Sequence, residues 1–238
     1  DYVLDVQDEV QSCLEKRGAV CRYMTDYERM KNGRHTPGEY VPEDTQCIIT
    51  IGGDGTLIQA ARDLAGRNIP MLGINRGHLG FLNQVDRTED IDAAMDALVN
   101  ERFRLEHRMM LRGTVFHEGK PVFQDIALNE IIATSAEHLR VLRYDLAVND
   151  EYLNEYAADG VMVATPTGST AYNLSAGGPV MAPAGRMMAV TPVCSHTLNA
   201  RSIVISEEDR VKIGLLGKGL VTFDGDTSQK TGPGDYLI

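Results

Sequence analysis

Between Cys47 and Thr56 the chain changes character within a few residues, and that change limits what it can fold into. An apolar, β-branched run from Cys47 to Ile51 stops at Gly52 and Gly53, and Asp54, Gly55 and Thr56 follow before helical periodicity begins. Three glycines in four positions let the backbone turn sharply and approach a ligand, because no Cβ stands in the way. A strand end feeding such a turn and then a helix N-terminus favours an anion, since free N–H groups and the helix dipole both point at it. Asp54 is the one side chain in the turn able to accept a proton or pair with a cation. Taken alone, the stretch also fits a tight turn with an acidic helix cap and no ligand.

The surrounding pattern predicts the architecture. Residues 1–30 begin as a helix with Val3, Val6, Val10, Cys13 and Leu14 on one face, and residues 31–44 read as a loop because of Gly33, Pro37, Gly38 and Pro42. After the Gly-rich turn, Leu57, Ile58, Ala61, Leu64 and Ala65 mark an amphipathic helix. Residues 70–75 form a second short strand that runs into a loop through Arg76, Gly77, His78, Leu79 and Gly80. A further helix carries Ile91, Ala94, Met95, Leu98 and Val99, with its start near Thr88. Strand, helix, strand and helix in that order predict an α/β domain with a parallel sheet over residues 1–100. Beyond it, segments 109–117, 121–134, 140–148, 151–156, 161–165, 187–193, 201–205, 211–216 and 220–224 read as strands. Glu118-Gly119 and Asn149-Asp150 supply turns between them, and one short helical stretch lies around Thr170–Ala176. Residues 101–238 are therefore expected to form a β-rich, β-sandwich-like domain.

Composition excludes several classes of function. With 34 acidic against 23 basic residues the net charge is −11, which argues against nucleic acid as a partner. No apolar run approaches the roughly 20 residues of a membrane span, and no signal peptide is seen, so a cytoplasmic location is expected. The four cysteines, Cys13, Cys21, Cys47 and Cys194, match neither a zinc pattern nor a disulfide framework, and the six histidines show no metal-binding pairing. A dedicated protein-ligated metal is not expected.

Three further stretches bear on the turn at Asp54. The first, Gly73 to Leu82, would leave its strand at the same sheet edge as the Gly52–Thr56 turn if the two strands are parallel neighbours; ligands of open α/β sheets collect there. The second is Asn129-Glu130 inside the apolar strand 126–132. An amide and a carboxylate there are costly to bury without partners, and a regular strand would point them to opposite faces. Either one is solvated and the other caps a loop, or the pair binds ribose or adenine. The third runs from Asp159 to Pro179. Its Thr165-Pro166-Thr167-Gly168-Ser169-Thr170 cluster precedes a helix start, where amides and hydroxyls suit phosphate or ribose, and Tyr172 offers an aromatic face for a base.

Together, GGDGT at 52–56, GINRGHLGFL at 73–82, NE at 129–130 and DGVMVATPTGSTAYNLSAGGP at 159–179 resemble the bacterial NAD kinase family, over a span from about residue 45 to the end. GGDGT also occurs in diacylglycerol and sphingosine kinases, and GGDGS in phosphofructokinases, but TPTGSTAY is not expected in those. The resemblance implies transfer of the ATP γ-phosphate to the 2′-hydroxyl of the adenosine ribose of NAD, with Mg²⁺ carried on the nucleotide phosphates. It implies that Asp54 is the base, with Gly55 beside it, and that Asn129 and Glu130 bind NAD. By the same resemblance Arg140, Ala157 and Asp159 contact the dinucleotide, some of them across a subunit interface. Thr170, Ala171, Tyr172, Asn173, Leu174 and Ser175 match the adenine and ribose segment, and Asp226 stands where the family carries a glutamine contact. Gly52, Gly53, Thr56, Asn75 and Arg76 are assigned to the phosphate loop, because no Walker-type lysine is present. NAD would lie between the two domains of a homodimer or homotetramer. The resemblance also leads us to expect a strand before the helix at 1–18 and a tail after Ile238. Two other readings remain: a non-catalytic NAD(P)-binding regulator, for which the Asp54 carboxylate would be superfluous, and a lipid kinase, which the polar 165–175 pocket disfavours.

Overall fold

A computed structural model describes residues 2–23, 41–76, 80–137, 140–196 and 200–238. The chain divides into two compact units, Asp1–Glu106 and His107–Ile238. Most of the loop expected at 31–44, and Gly77, His78 and Leu79 of the second motif, lie outside the described residues.

The first unit is an α/β layer. Helix α1 (Tyr2–Glu15) precedes strand β1 (Ile48–Gly52), helix α2 (Asp54–Asp63), strand β2 (Met71–Asn75) and helix α3 (Ile91–Val99). The opening helix stops early because Gly18 takes a left-handed φ of +79°, and the Ala19 N–H bonds back to the Leu14 carbonyl at 3.1 Å. Val6, Val10, Cys13 and Leu14 of α1 bury against Ile74, Ile91 and Met95, with Ile49, Ile51 and Leu72 partly covered beside them. β1 and β2 pair in parallel, Ile48 opposite Met71 and Gly52 opposite Asn75, as the pattern predicts. α2 starts earlier than its apolar periodicity indicates. The Thr56 N–H bonds to the Gly53 carbonyl at 3.0 Å, so Asp54, Gly55 and Thr56 form the first helical turn.

The second unit is a β-sandwich. Its strands are β3 (Leu111–His117), β4 (Lys120–Ala127), β5 (Glu130–Ser135), β6 (Leu142–Val148), β7 (Glu151–Ala158), β8 (Gly160–Ala164), β9 (Met187–Val193), β10 (Ile203–Ser206), β11 (Val211–Leu215), β12 (Gly219–Phe223), β13 (Thr227–Thr231) and β14 (Tyr236–Leu237). Between β8 and β9 lie a 3₁₀ turn, Gly168–Thr170, and the one-turn helix α4 (Tyr172–Ser175). The strands form two six-stranded sheets ordered β10-β9-β8-β5-β12-β13 and β4-β3-β14-β11-β6-β7, with antiparallel pairing throughout. Val115, Tyr144 and Ile213 from one sheet and Ala133, Val161, Val221 and Phe223 from the other share one buried cluster, with side chains alternating inward along β3, β6, β11 and β12. The predicted turns at Glu118-Gly119 and Asn149-Asp150 have positive φ at both residues, the geometry that matches hairpin twist.

In this unit the sequence pattern needs correcting at two places. The strand expected at 121–134 is two strands, β4 and β5, in different sheets, with Leu128 and Asn129 at the bend. Strands β13 and β14 escape the pattern: Thr227-Ser228-Gln229-Lys230-Thr231 is a polar edge strand, and β14 has only two residues. Replacing fully buried Phe223 by Ala is expected to lower the unfolding free energy by about 3–5 kcal/mol in urea titrations. The same change at exposed Val204 should cost no more than about 0.5 kcal/mol.

Candidate functional site

In the first unit the Gly-rich turn and the second motif leave the carboxyl ends of adjacent parallel strands, with Gly52 opposite Asn75. The two segments are then sewn together. The Arg76 N–H donates to the Gly52 carbonyl at 3.0 Å. Asp54 Oδ2 accepts from the Phe81 N–H at 2.8 Å, while Oδ1 accepts from the Leu82 N–H at 3.3 Å and from Asn83 Nδ2 at 2.9 Å. A Cβ placed on Gly80 would lie 2.3 Å from either carboxylate oxygen, so only glycine lets the loop pass this close. At Gly53 and Gly55 an added Cβ would meet none of the described residues within 4 Å. Packing among the described residues does not account for glycine there, and the space beside both positions is open. Thr56 folds onto Gly52, where an added Cβ would sit 2.3 Å from its hydroxyl. Asn75 is buried and donates to Asp86 Oδ1 at 3.2 Å, and Arg76 donates to the Asn75 carbonyl at 3.1 Å and to Thr88 Oγ1 at 3.2 Å.

In the second unit Asn129 and Glu130 sit where β4 gives way to β5. The N–H groups of Leu128, Asn129 and Glu130 donate to the Asp224 carboxylate at 2.7, 2.8 and 3.0 Å. Thr165 grips the other side: its N–H donates to the Asn129 carbonyl at 2.8 Å and its hydroxyl to the Leu128 carbonyl at 2.6 Å. The Gly168 N–H in turn donates to the Thr165 hydroxyl at 3.0 Å, and a Cβ on Gly168 would lie 2.1 Å from the Asn129 carbonyl oxygen. The Asn129-Glu130 bend and the hydroxyl-rich turn are thus one interlocked surface. Asp224, at φ +49° beside Gly225 in the β12–β13 hairpin, does not stand out in the sequence as a site residue, because Asp-Gly is also ordinary hairpin chemistry. Asp226 closes that hairpin through its N–H to the Phe223 carbonyl at 3.0 Å.

The 159–179 stretch divides its residues between support and surface. Ser169 is fully buried, donating to the Pro166 carbonyl at 2.6 Å and accepting from the Met181 N–H at 3.0 Å. Asn173 is also fully buried: its amide donates to the Ser169 and Pro179 carbonyls at 3.3 and 3.0 Å, and its Oδ1 accepts from Thr191 Oγ1 at 2.7 Å. Tyr172, Leu174 and Ser175 are exposed and Thr170 and Ala171 half-buried, so these five are open to a ligand while Asn173 fixes the turn beneath them. Asp159 and Arg140 are exposed, Asp159 at 4.0 Å from His196 Nε2 and Arg140 at 3.7 Å from Glu137. Ala157 accepts the His196 N–H at 2.8 Å.

Burial, reinforced by the Asp224 charge, pushes the Glu130 carboxyl from its ordinary 4.5 up to about 7. A carboxyl that holds its proton more tightly in the fold contributes its full stability below its ordinary value. That contribution is lost as pH rises through about 7. Between pH 4.5 and 7 the loss should approach about 3 kcal/mol in urea titrations, and Glu130→Gln should flatten that slope. A Glu130→Gln protein with an unaltered slope would contradict it.

Comparison with known proteins now places the chain. Residues 5–103 match the ATP-NAD kinase N-terminal domain and residues 128–238 the ATP-NAD kinase C-terminal domain. The NAD kinase of Lachnospira eligens is 37% identical over 94% of this chain and 83% of its own length. A yeast NADH kinase solved with NADH superposes with a TM-score of 0.76 at 27% identity, over 83% of this chain. The chain spans 59% of the length of that yeast kinase. An NAD kinase from Archaeoglobus fulgidus solved with ATP shares the fold, with a TM-score of 0.75 at 24% identity over 97% of this chain and 84% of its own. With two domain matches that together take in most of its length and a relative at this identity, the chain belongs to the NAD kinase family.

Proposed function

We propose that this chain transfers the γ-phosphate of ATP to the 2′-hydroxyl of the adenosine ribose of NAD, producing NADP and ADP. The observation that carries the reading is the Asp54 carboxylate, held by three donors at the start of α2 between glycines that leave the space beside them open. On this reading the hydroxyl proton passes to Asp54 as the ribose oxygen bonds to the γ-phosphorus and the bond to the ADP oxygen breaks. Backbone amides at Gly52, Gly53 and Gly55 and at the first turn of α2 suit the phosphates. Thr56, Asn75 and Arg76 brace that loop.

Asn129 and Glu130 would bind the dinucleotide from their clamped bend, with Thr170, Ala171, Tyr172, Leu174 and Ser175 around the adenine and ribose, Asn173 supporting them and Asp226 nearby. Tyr172, at 45% exposed, is suited to stack on a base. Arg140, Ala157 and Asp159 would contact the dinucleotide, some of them across a subunit interface, in a homodimer or homotetramer. Among the described residues no group of three or more His, Cys, Asp or Glu is gathered to hold a metal. Mg²⁺ fits this reading as an ion carried on the ATP phosphates, whose charge it neutralises. No helix among the described residues is long and apolar enough to cross a membrane, and we place the enzyme in the cytoplasm.

Purified protein incubated with NAD, ATP and Mg²⁺ is expected to form NADP, read by an NADP-specific dehydrogenase. Absence of NADP would overturn the assignment. Asp54→Asn should lower kcat by at least about 100-fold, the ordinary contribution of a positioned base, while NAD binding measured by calorimetry persists.

A further inference from the structure

The loop that follows β2 assigns different tasks to the two oxygens of Asp54. A carboxylate offers about four lone-pair sites, two on each oxygen. Oδ1 takes two donors, Asn83 Nδ2 at 2.9 Å and the longer contact from the Leu82 N–H at 3.3 Å. Among the described residues Oδ2 takes one, the Phe81 N–H at 2.8 Å. The remaining site is therefore on Oδ2. Two of the three donors are backbone groups fixed by the path of the loop. Asn83 is the only side chain among them, and the shorter of the two contacts to Oδ1 is its own.

The loop is built to deliver that amide. The Asn83 Oδ1 atom is turned inward against β2, and a Cβ on Gly73 would come within 2.3 Å of it and within 3.1 Å of the Asn83 Cα. Gln84 fastens the next residue: its side-chain oxygen accepts the Gly73 N–H at 2.7 Å, and its own N–H donates to the Gly73 carbonyl at 2.9 Å. Gly73 thus makes room for Asn83, as Gly80 makes room for the carboxylate. The torsion that turns an aspartate carboxylate is broad, so without a directed donor its oxygens exchange places easily.

We infer that Asn83 is a positioning residue for the proposed base: it saturates Asp54 Oδ1 and leaves Oδ2 as the oxygen that receives the ribose hydroxyl proton. The inference rests on the kinase reading above. On this inference Asn83 acts through Asp54, so its loss should appear in turnover and not in affinity.

The test compares wild type, Asn83→Ala, Asn83→Asp, Asp54→Asn and the double variant Asp54→Asn/Asn83→Ala, with thermal unfolding as a check on folding. In Asn83→Ala, kcat should fall about 10-fold while KM for NAD and for ATP stay within about twofold. Asn83→Asp keeps the shape but replaces the donor by an acceptor facing Asp54, and should fall at least as far. A space-filling role would leave Asn83→Asp close to wild type. On the Asp54→Asn background Asn83→Ala should cost nothing further, because the group it positions is gone. If Asn83→Ala does not fold, Asn83→Asp carries the same comparison. An active wild type whose Asn83 variants keep kcat, lose affinity instead, or add their loss to that of Asp54→Asn overturns the role of Asn83 alone. A wild type that forms no NADP overturns the kinase reading and this inference together.

Discussion

Three consecutive backbone N–H groups, those of Leu128, Asn129 and Glu130, point at one carboxylate, Asp224. Where a strand breaks, its donors lose their ladder partners, and a buried donor left unsatisfied costs about 1–3 kcal/mol. Asp224 supplies all three at once. That lets the chain leave the sheet of β4 and enter the sheet of β5 without a longer connection, and so forms a corner of the sandwich. Asp224 itself sits at positive φ in a hairpin of the second sheet, so the hairpin and the corner hold one another. The Asn129-Glu130 pair is presented by this corner, and the Glu130 carboxyl is raised in part by the charge that makes the corner possible.

The first unit depends on a different constraint, the level ends of two parallel strands. Because Gly52 and Asn75 are opposite one another, the Gly-rich turn and the loop after β2 emerge side by side. The backbone of that loop then reaches Asp54 with two N–H groups across the gap that Gly80 leaves. Helix α2 adds its own contribution, since Asp54 stands in its first turn, where a negative charge is favoured.

Much of this was legible in the sequence because hydrophobic period and turn chemistry agreed. The β1, α2 and β2 rhythm, α3 near Thr88, and the strands at 187–193 and 211–215 all carry their own local pattern. The break at Leu128-Asn129 was hidden, because apolar residues continue from Ile126 through Ile132 and the stabilising carboxylate lies 95 residues further along the chain from Asn129. β13 was hidden for the opposite reason: an edge strand of Thr, Ser, Gln and Lys has no apolar alternation, and only its pairing with β12 defines it. At the site, residue types were legible and their burial was not. Asn173 reads in sequence like its neighbours Tyr172 and Leu174, yet its amide is enclosed by Ser169, Pro179 and Thr191.

Strand β8 is buried along all five of its residues, between β5 and β9, and the chain stays buried from Ala164 through Ser169. Backbone enclosed in this way opens only with large parts of the fold, so it belongs to the slowest-exchanging class of segments. The turn that exposes Tyr172, Leu174 and Ser175 is tied through buried Asn173 to Ser169 in the buried segment after β8 and to Thr191 of β9. A molecule that lands on the turn meets a surface whose shape is already set, and it loses little of its binding free energy to ordering the protein.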